Sequence, residues 1–100
     1  MKFDELKFND VSETFGNNAI QAIVDYPGTD YEMSVVRHAG SYGFELHRYE
    51  LGVFNGNTMV SYPPITHEDD QVRGYLKQFE VEKYVNMMGE MLGVDPKNKD

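Results

Sequence analysis

The chain has 100 residues and a formal net charge of −8 at pH 7, because 17 acidic side chains outnumber nine lysines and arginines. This balance argues against direct binding to nucleic acid or to an anionic membrane, both of which reward clustered basic side chains. The absence of cysteine excludes disulfides, thiolate metal sites and a cysteine nucleophile.

We expect a single cytoplasmic domain that spans residues 1–100. The length matches one ordinary domain. The first five residues lack the apolar run of a signal peptide, and no window approaches about 18 consecutive apolar residues.

The sequence predicts an irregular N-terminal segment over residues 1–18, followed by an antiparallel sheet of about four strands over residues 19–62. Apolar and polar residues alternate in the first strand, Ile20–Tyr26. The second strand is predicted over Tyr31–His38 and a long third strand over Phe44–Phe54. The fold class is therefore α+β, since a helical region follows the strands.

The dipeptide Asn55-Gly56 predicts a hairpin, because this pair is typical of a two-residue type I′ turn between apolar runs. A turn at these two residues sets the register so that Leu51 faces Val60. The predicted core face of this hairpin consists of Tyr49, Leu51, Val53, Val60 and Tyr62.

Residues 66–93 are predicted to be helical and to pack on one face of the sheet, and residues 94–100 to form a frayed tail. Apolar residues up to Phe79 share one helical face, whereas those from Val81 onward lie on roughly the opposite face. Two interpretations remain open. Either the helix breaks between Phe79 and Val81 and forms two short helices, or one straight helix is apolar on both sides.

The segment His67 to Asp70 contains the residue types of a metal site, but we predict no metal there. At most His67 and Asp70 share a helical face, and two ligands make a weak site. The segment is better explained as the start of the helix, since Thr66 and Asp69 have the spacing of a capping box and the carboxylates complement the helix dipole.

No catalytic residue and no cofactor are predicted, so we do not expect an enzyme. No glycine-rich phosphate loop lies between a strand and a helix. His38, Ser41 and His47 are the candidates for a hydrolytic site, but no carboxylate is placed to orient His47.

The acidic residues have two interpretations, which remain open: a solvated surface that keeps the protein in solution, or a contact surface for a basic partner. Carboxylates held at intervals on a small rigid domain can imitate the phosphates of a nucleic-acid backbone and enter a basic groove. Tyr42, between two glycines of a loop, is predicted to be an exposed contact residue. The predicted partner-binding residues are Asp25, Asp30, Glu32, Tyr42, Glu68, Asp69, Asp70, Glu80 and Glu82.

This profile, an acidic, cysteine-free α+β domain with tyrosines in its loops, resembles small phage-encoded inhibitors of the anti-CRISPR type and other nucleic-acid mimics. The resemblance implies a stoichiometric inhibitor of a basic, nucleic-acid-binding host effector such as a CRISPR nuclease, with no direct contact to nucleic acid or membrane. The alternative function is a structural or scaffolding module that self-associates through a methionine-rich helix face. That interface would use Met87, Met88 and Met91.

Overall fold

The computed structural model describes residues 1–16, 18–38 and 47–99. Tyr42 and the predicted beginning of the third strand at Phe44 lie outside the described residues. After a 3₁₀ turn at Phe3–Glu5, the elements are β1 (Asn9–Asp10), α1 (Ser12–Phe15), β2 (Ile20–Asp25), β3 (Tyr31–Arg37), β4 (Tyr49–Asn55), β5 (Thr58–Val60), β6 (Val72–Leu76), α2 (Gln78–Leu92) and β7 (Lys97–Asn98).

Within the described residues, the strands form one antiparallel sheet in the order β1-β2-β3-β4-β5, with β6 also paired to β4 and β7 also paired to β2. The predicted α+β class, an antiparallel sheet with a C-terminal helix, is confirmed. The sheet has seven strands rather than four in this part of the chain, because β1, β6 and β7 were not predicted.

The alternation of apolar and polar residues explains which side of the sheet forms the core. Every second side chain of β2, β3 and β4 is buried on one face, and α2 covers this face. Each fully buried aliphatic side chain stabilises the fold by about 1.5–3 kcal/mol. The fully buried residues of the sheet face include Ala22, Val24, Met33, Val35, Leu51 and Val53.

The predicted β4–β5 hairpin is confirmed, but its loop is displaced by one residue. Asn55 pairs with Thr58, so the two loop residues are Gly56 and Asn57. Gly56 has a φ of 62°, a left-handed conformation that glycine adopts without the steric cost of a Cβ.

The predicted pair between Leu51 and Val60 is wrong as a consequence. Val60 pairs with Val53, and Leu51 pairs with Arg73 of β6. The partner of Val60 on β4 thus moves by two positions, from residue 51 to residue 53. Because two is an even number, the same side chains still face the core.

The predicted start of the helix near residue 66 is also wrong. Residues 67–70 form a turn, β6 follows, and α2 begins only at Gln78. The residue before the helix is therefore Lys77, whose backbone N–H donates to Oε1 of Glu80 at 3.0 Å. Lysine has no acceptor, so only the glutamate half of a capping box forms at this end.

A bulge in β6 explains why its sequence looked helical. The pairing of β6 with β4 shifts register between Arg73 and Leu76, and Tyr75 within this stretch has a φ of 60°. The extra residue interrupts the period of two, so Val72 and Leu76 have a spacing that also fits one face of a helix.

The helix α2 is continuous from Gln78 to Leu92, so the predicted break between Phe79 and Val81 is wrong, as is a straight helix from residue 66. The change of apolar face marks the passage from β6 to α2. The hydroxyl of buried Tyr26, the residue after β2, donates to the carbonyl of Val85 at 2.8 Å and fixes α2 to the end of this strand. Among the described residues, no helix has the length and apolar character needed to cross a membrane.

Both ends of the described chain are tied to β2, against the predictions of an irregular segment over 1–18 and a frayed tail over 94–100. β1 pairs with the beginning of β2, and β7 pairs with its end. The side-chain amide of Asn98 also donates to the carbonyl of Glu5 at 2.8 Å. Such long-range pairs have no local sequence signal, since a two-residue strand is too short to show alternation.

We expect Gly89→Ala to lower the free energy of unfolding by about 1–3 kcal/mol, because overpacking forces neighbouring groups apart. A Cβ at position 89 would lie 2.8 Å from the carbonyl oxygen of Val94 and 3.0 Å from Cδ of Pro96. On an open helix surface the same change is stabilising by about 1 kcal/mol. Chemical denaturation beside the exposed neighbour variant Glu90→Ala measures the effect, and an unchanged or higher stability of Gly89→Ala would contradict it.

Candidate functional site

Two turns meet at one end of the sheet. The backbone N–H of Gly56, in the β4–β5 loop, donates to the carbonyl of Asp30 at 2.8 Å. The hydroxyl of Thr29 donates to the carbonyl of Tyr26 at 2.7 Å and tightens the β2–β3 turn. Between these turns lies an open cavity of about 250 Å³, which we call the turn pocket. It is lined by Asp25, Thr29, Asp30, Glu32, Gly56, Asn57 and Lys99.

The turn pocket contains a repulsive pair of carboxylates whose charge a lysine partly offsets. Asp25 and Glu32 are directly opposite each other on β2 and β3, and like charges at such positions are destabilising. The ammonium nitrogen of Lys99 lies 2.6 Å from Oε2 of Glu32. The hydrogen bond and charge of Glu32, and more weakly the charge of Asp25, raise the pKa of Lys99 above its ordinary value of 10.5.

The direction of this pKa shift defines when the ion pair contributes to the fold. A lysine whose pKa is higher in the folded state stabilises that state fully below its unfolded pKa. This contribution of the lysine is lost as the pH rises through the raised pKa. Lys99 therefore keeps its positive charge in the turn pocket throughout the neutral range.

The segment between β5 and β6, residues 61–71, forms the second candidate site, which we call the acidic loop. Two of its residues, Ile65 and Thr66, are fully buried. The hydroxyl oxygen of Thr66 accepts the backbone N–H of Tyr62 at 2.7 Å, and the backbone N–H of Thr66 donates to the carbonyl of Tyr62 at 3.0 Å. The middle of the loop is thus fixed to the core.

Further side chains hold the two limbs of the acidic loop. The hydroxyl oxygen of Ser61 lies 2.9 Å and 2.8 Å from the carbonyl oxygens of His67 and Glu68, so its single hydrogen is shared between them. The side-chain amide of Gln71 donates to the carbonyl of Met59 at 3.0 Å. The acidic loop has no regular backbone ladder, so side-chain hydrogen bonds to its carbonyl groups hold it in place.

Arg73 connects the acidic loop to α2. Its Nε donates to the carbonyl of Ile65 at 2.8 Å, and its Nη2 donates to the carbonyl of Pro64 at 3.0 Å. The guanidinium carbon lies 4.6 Å from the ring centroid of Tyr84, within the range of a cation–π interaction. One side chain therefore fixes the loop, β6 and the helix to one another.

The anchored backbone presents carboxylates that have no part in the fold. Glu68 and Asp69 are exposed, and no hydrogen bond or ion pair involves their side chains in the part of the chain that the structure describes. Asp70 differs from them, because its Oδ1 accepts the backbone N–H of Val72 at 3.2 Å. Glu68 and Asp69 are thus the carboxylates of this loop that a partner can contact without disturbing the loop itself.

The two predicted carboxylates of α2 serve the fold. Oε1 of Glu80 accepts the backbone N–H of Lys77 at the start of the helix. Oε1 of Glu82 accepts the backbone N–H of Phe3 at 2.8 Å and holds the N-terminal segment against α2. Both side chains are half-buried.

The structure thus distributes the predicted acidic residues over three elements. The three carboxylates of the β2–β3 hairpin come together in the turn pocket. Those of residues 68–70 lie in the acidic loop, beside the β4 edge to which β5 and β6 pair. The prediction that residues 68–70 open a helix is wrong, and Tyr42 lies outside the described residues.

The methionines of the alternative interface do not form one exposed stripe. Met88 is fully buried in the core, Met87 is half-buried, and Met91 is 45% exposed. The core position of Met88 corrects its assignment to an interface, because a partner cannot contact it without unfolding the helix packing.

Sequence reasoning missed four residues that the structure makes prominent. Lys99 and Arg73 order the two sites through contacts with residues far away in the sequence. Tyr75 and Phe79 are 60% and 66% exposed near the junction of β6 and α2. The composition offered one signal for Lys99 and Arg73: in an acid-rich chain each of the few lysines and arginines has many candidate acidic partners.

Within residues 1–16, 18–38 and 47–99, no three histidine, aspartate or glutamate side chains converge as ligands for a metal ion. Comparisons of the chain with protein-family models, curated proteins and solved structures found no match.

Proposed function

We propose that the protein is a non-catalytic inhibitor that occupies the basic groove in which an effector protein binds nucleic acid. The observation that carries this proposal is the acidic loop. Its exposed carboxylates, Glu68 and Asp69, have no partner among the described residues, and they stand on a backbone that buried residues and side-chain hydrogen bonds hold in place.

Such an arrangement suits recognition because the ordering of the loop is already complete before binding. A mobile segment loses conformational entropy when a partner fixes it, and a pre-organised one avoids most of this cost. Exposed carboxylates also speed the encounter with a basic surface through long-range attraction. The net charge of −8 acts in the same direction.

The effector class that we propose is an RNA-guided nuclease of the CRISPR type, the class implied by the resemblance to small acidic inhibitors. The nucleic-acid channel of such a nuclease is positively charged. In this proposal the protein works in the cytoplasm, contacts the channel wall with the acidic loop, and leaves the nucleic acid itself untouched.

A cleavage assay tests the proposal. The protein is titrated into a panel of guide-loaded CRISPR nucleases with labelled target DNA at fixed ionic strength. We expect one member to lose activity at an equimolar ratio, and inhibition to weaken as salt rises, because salt screens exposed charges. Glu68→Lys with Asp69→Lys should raise the inhibitory concentration at least about tenfold, as pairs broken in a dry contact cost about 2–5 kcal/mol each.

The matched control is Asp4→Lys with Glu13→Lys, which makes the same change of charge at two other exposed positions. Circular dichroism of both double variants confirms that the domain stays folded. Equal loss of inhibition in the two double variants would show that only net charge matters. A panel in which no nuclease responds would reject the proposed effector class.

A further inference from the structure

We propose that the turn pocket and the adjoining edge of β2 form a docking site for an extended, lysine-bearing segment of a partner protein, and that residues 97–99 occupy this site as an intramolecular competitor. The proposal rests on the proposed function, since it names the chemistry by which a basic partner is held.

The edge of β2 binds an extended segment through backbone groups. β7 pairs with the last two residues of β2, Val24 opposite Asn98 and Asp25 opposite Lys97, and the backbone N–H of Lys99 donates to the carbonyl of Ile23 at 2.9 Å. Bonds of this type involve only backbone groups, so any extended segment can replace the tail along this edge.

The charges of the pocket select for a cation. Asp25 and Glu32 face each other directly, so the pocket attracts a positively charged side chain, repels a negatively charged one and offers a neutral one no charge attraction. The observed occupant is an ammonium, that of Lys99 at 2.6 Å from Glu32. A lysine one or two residues beyond the paired part of an incoming strand meets the same two carboxylates.

The tail is held weakly enough for a partner segment to displace it. β7 has only two residues, and the side chain of Lys99 is 48% exposed. Ion pairs with this exposure contribute little to stability because water and salt screen them. The tail is nevertheless hard to outcompete at low partner concentration, since a tethered segment acts at an effective concentration in the millimolar range. The tail therefore lowers the affinity for weak basic segments and admits those that bind more strongly.

Fluorescence anisotropy with a labelled peptide tests the proposal. The probe has the sequence of residues 94–100, and a second probe carries glutamine in place of its second lysine. The unchanged protein is compared with its Lys99→Glu variant, in which a fourth carboxylate enters the pocket and expels the tail. We expect Lys99→Glu to bind the lysine peptide at least about tenfold more tightly than the unchanged protein does, because the competitor is gone.

The control variant is Lys2→Glu, which makes the same charge change at an exposed position in the N-terminal segment, and it should bind the peptide as the unchanged protein does. Equal affinity of Lys99→Glu and the unchanged protein, or equal binding of the two peptides, would overturn the proposal. Sedimentation velocity checks that Lys99→Glu is monomeric. A dimer would indicate that the tail of one copy occupies the turn pocket of another copy, which would make a second copy of the chain the occupant of the site.

A measurement on the unchanged protein covers the case in which Lys99→Glu does not fold. Excess lysine peptide should accelerate hydrogen exchange at the amides of Lys97 and Lys99, the two tail residues that lie in hydrogen-bonded positions opposite β2, while leaving β3 and β4 protected. Unaltered exchange at these two amides would contradict displacement. Neither experiment uses the acidic loop or a nuclease, so a negative result in both would reject the docking site and leave the inhibitory function untouched. Peptide binding without inhibition of any nuclease would reject the inhibitory function and leave the docking site untouched.

Discussion

Met88→Ala is expected to lower the free energy of unfolding by about 2–5 kcal/mol, the range for truncating a buried methionine. Met88 is fully buried on the face of α2 that packs on the sheet, beside Val81 and Val85. The loss combines the transfer of apolar atoms with the cavity they leave. For a domain whose total stability is about 5–15 kcal/mol, this is a large fraction.

Met91→Ala is the matched control, because it makes the same truncation three residues along the same helix at a 45% exposed position. We expect a change below about 0.5 kcal/mol there. Urea denaturation monitored by circular dichroism compares the two variants. If both lose stability equally, or if Met88→Ala leaves stability intact and instead dissociates an oligomer, the core assignment of Met88 is wrong.

Arg73→Ala is expected to destabilise the protein by about 2–3 kcal/mol and to loosen the acidic loop. The substitution removes two charge-assisted hydrogen bonds, to the carbonyls of Ile65 and Pro64, and the stacking on Tyr84. The carbonyl of buried Ile65 is then left without its donor, which is the costly part of the change. Hydrogen exchange at the amide of Thr66 should accelerate more than exchange in β3.

Arg73→Lys separates charge from geometry. Lysine keeps the positive charge but lacks the planar fork that reaches two carbonyls at once, so it should restore less than half of the lost stability. The same variants connect rigidity with function, since a loosened loop should weaken inhibition although Glu68 and Asp69 are unchanged. Full activity of Arg73→Ala with an unaltered exchange rate at Thr66 would show that the anchoring is unimportant.

The regular part of the sheet was predictable because its signals are local. Apolar residues alternate with polar ones in β2, and the structure buries its Ala22 and Val24 on the same face as Met33 and Val35 of β3. The hairpin was predicted, but not its register, because an Asn-Gly-Asn sequence permits two neighbouring two-residue loops. The choice between them was made by the longer-range pairing of β4, whose residue Leu51 meets β6 instead of β5.

The prediction of where the helix begins was wrong for a different physical reason. Residues 72–79 contain apolar side chains at spacings of three and four, which is the signature of a helical face. A bulge produced this spacing in a strand, and Tyr75 adopts a left-handed φ of 60° that no propensity rule anticipates for tyrosine. Tertiary pairing with β4 decided the conformation over local preference.

The two candidate sites were predictable in composition and not in arrangement. The acidic residues were named from the sequence, but their partners were not, because Lys99 reaches Glu32 across 67 positions of the chain. The role of Arg73 as an anchor likewise depends on carbonyl groups, which every residue carries and which leave no sequence trace. Side-chain contacts with backbone groups are therefore the part of this structure that sequence patterns identify least.

The bulge in β6 has a consequence for how the molecule behaves at high concentration. A long, flat strand at the margin of a sheet can template the addition of further chains and start aggregation. One margin of the described sheet consists of β5, with three residues, and of β6, whose ladder is interrupted at Tyr75. The opposite margin consists of β1 and β7, with two residues each. Twisted or very short margins are poor templates. The fold thus limits fibre-like growth at both sides of the sheet through backbone geometry, without relying on the repulsion between its negative charges.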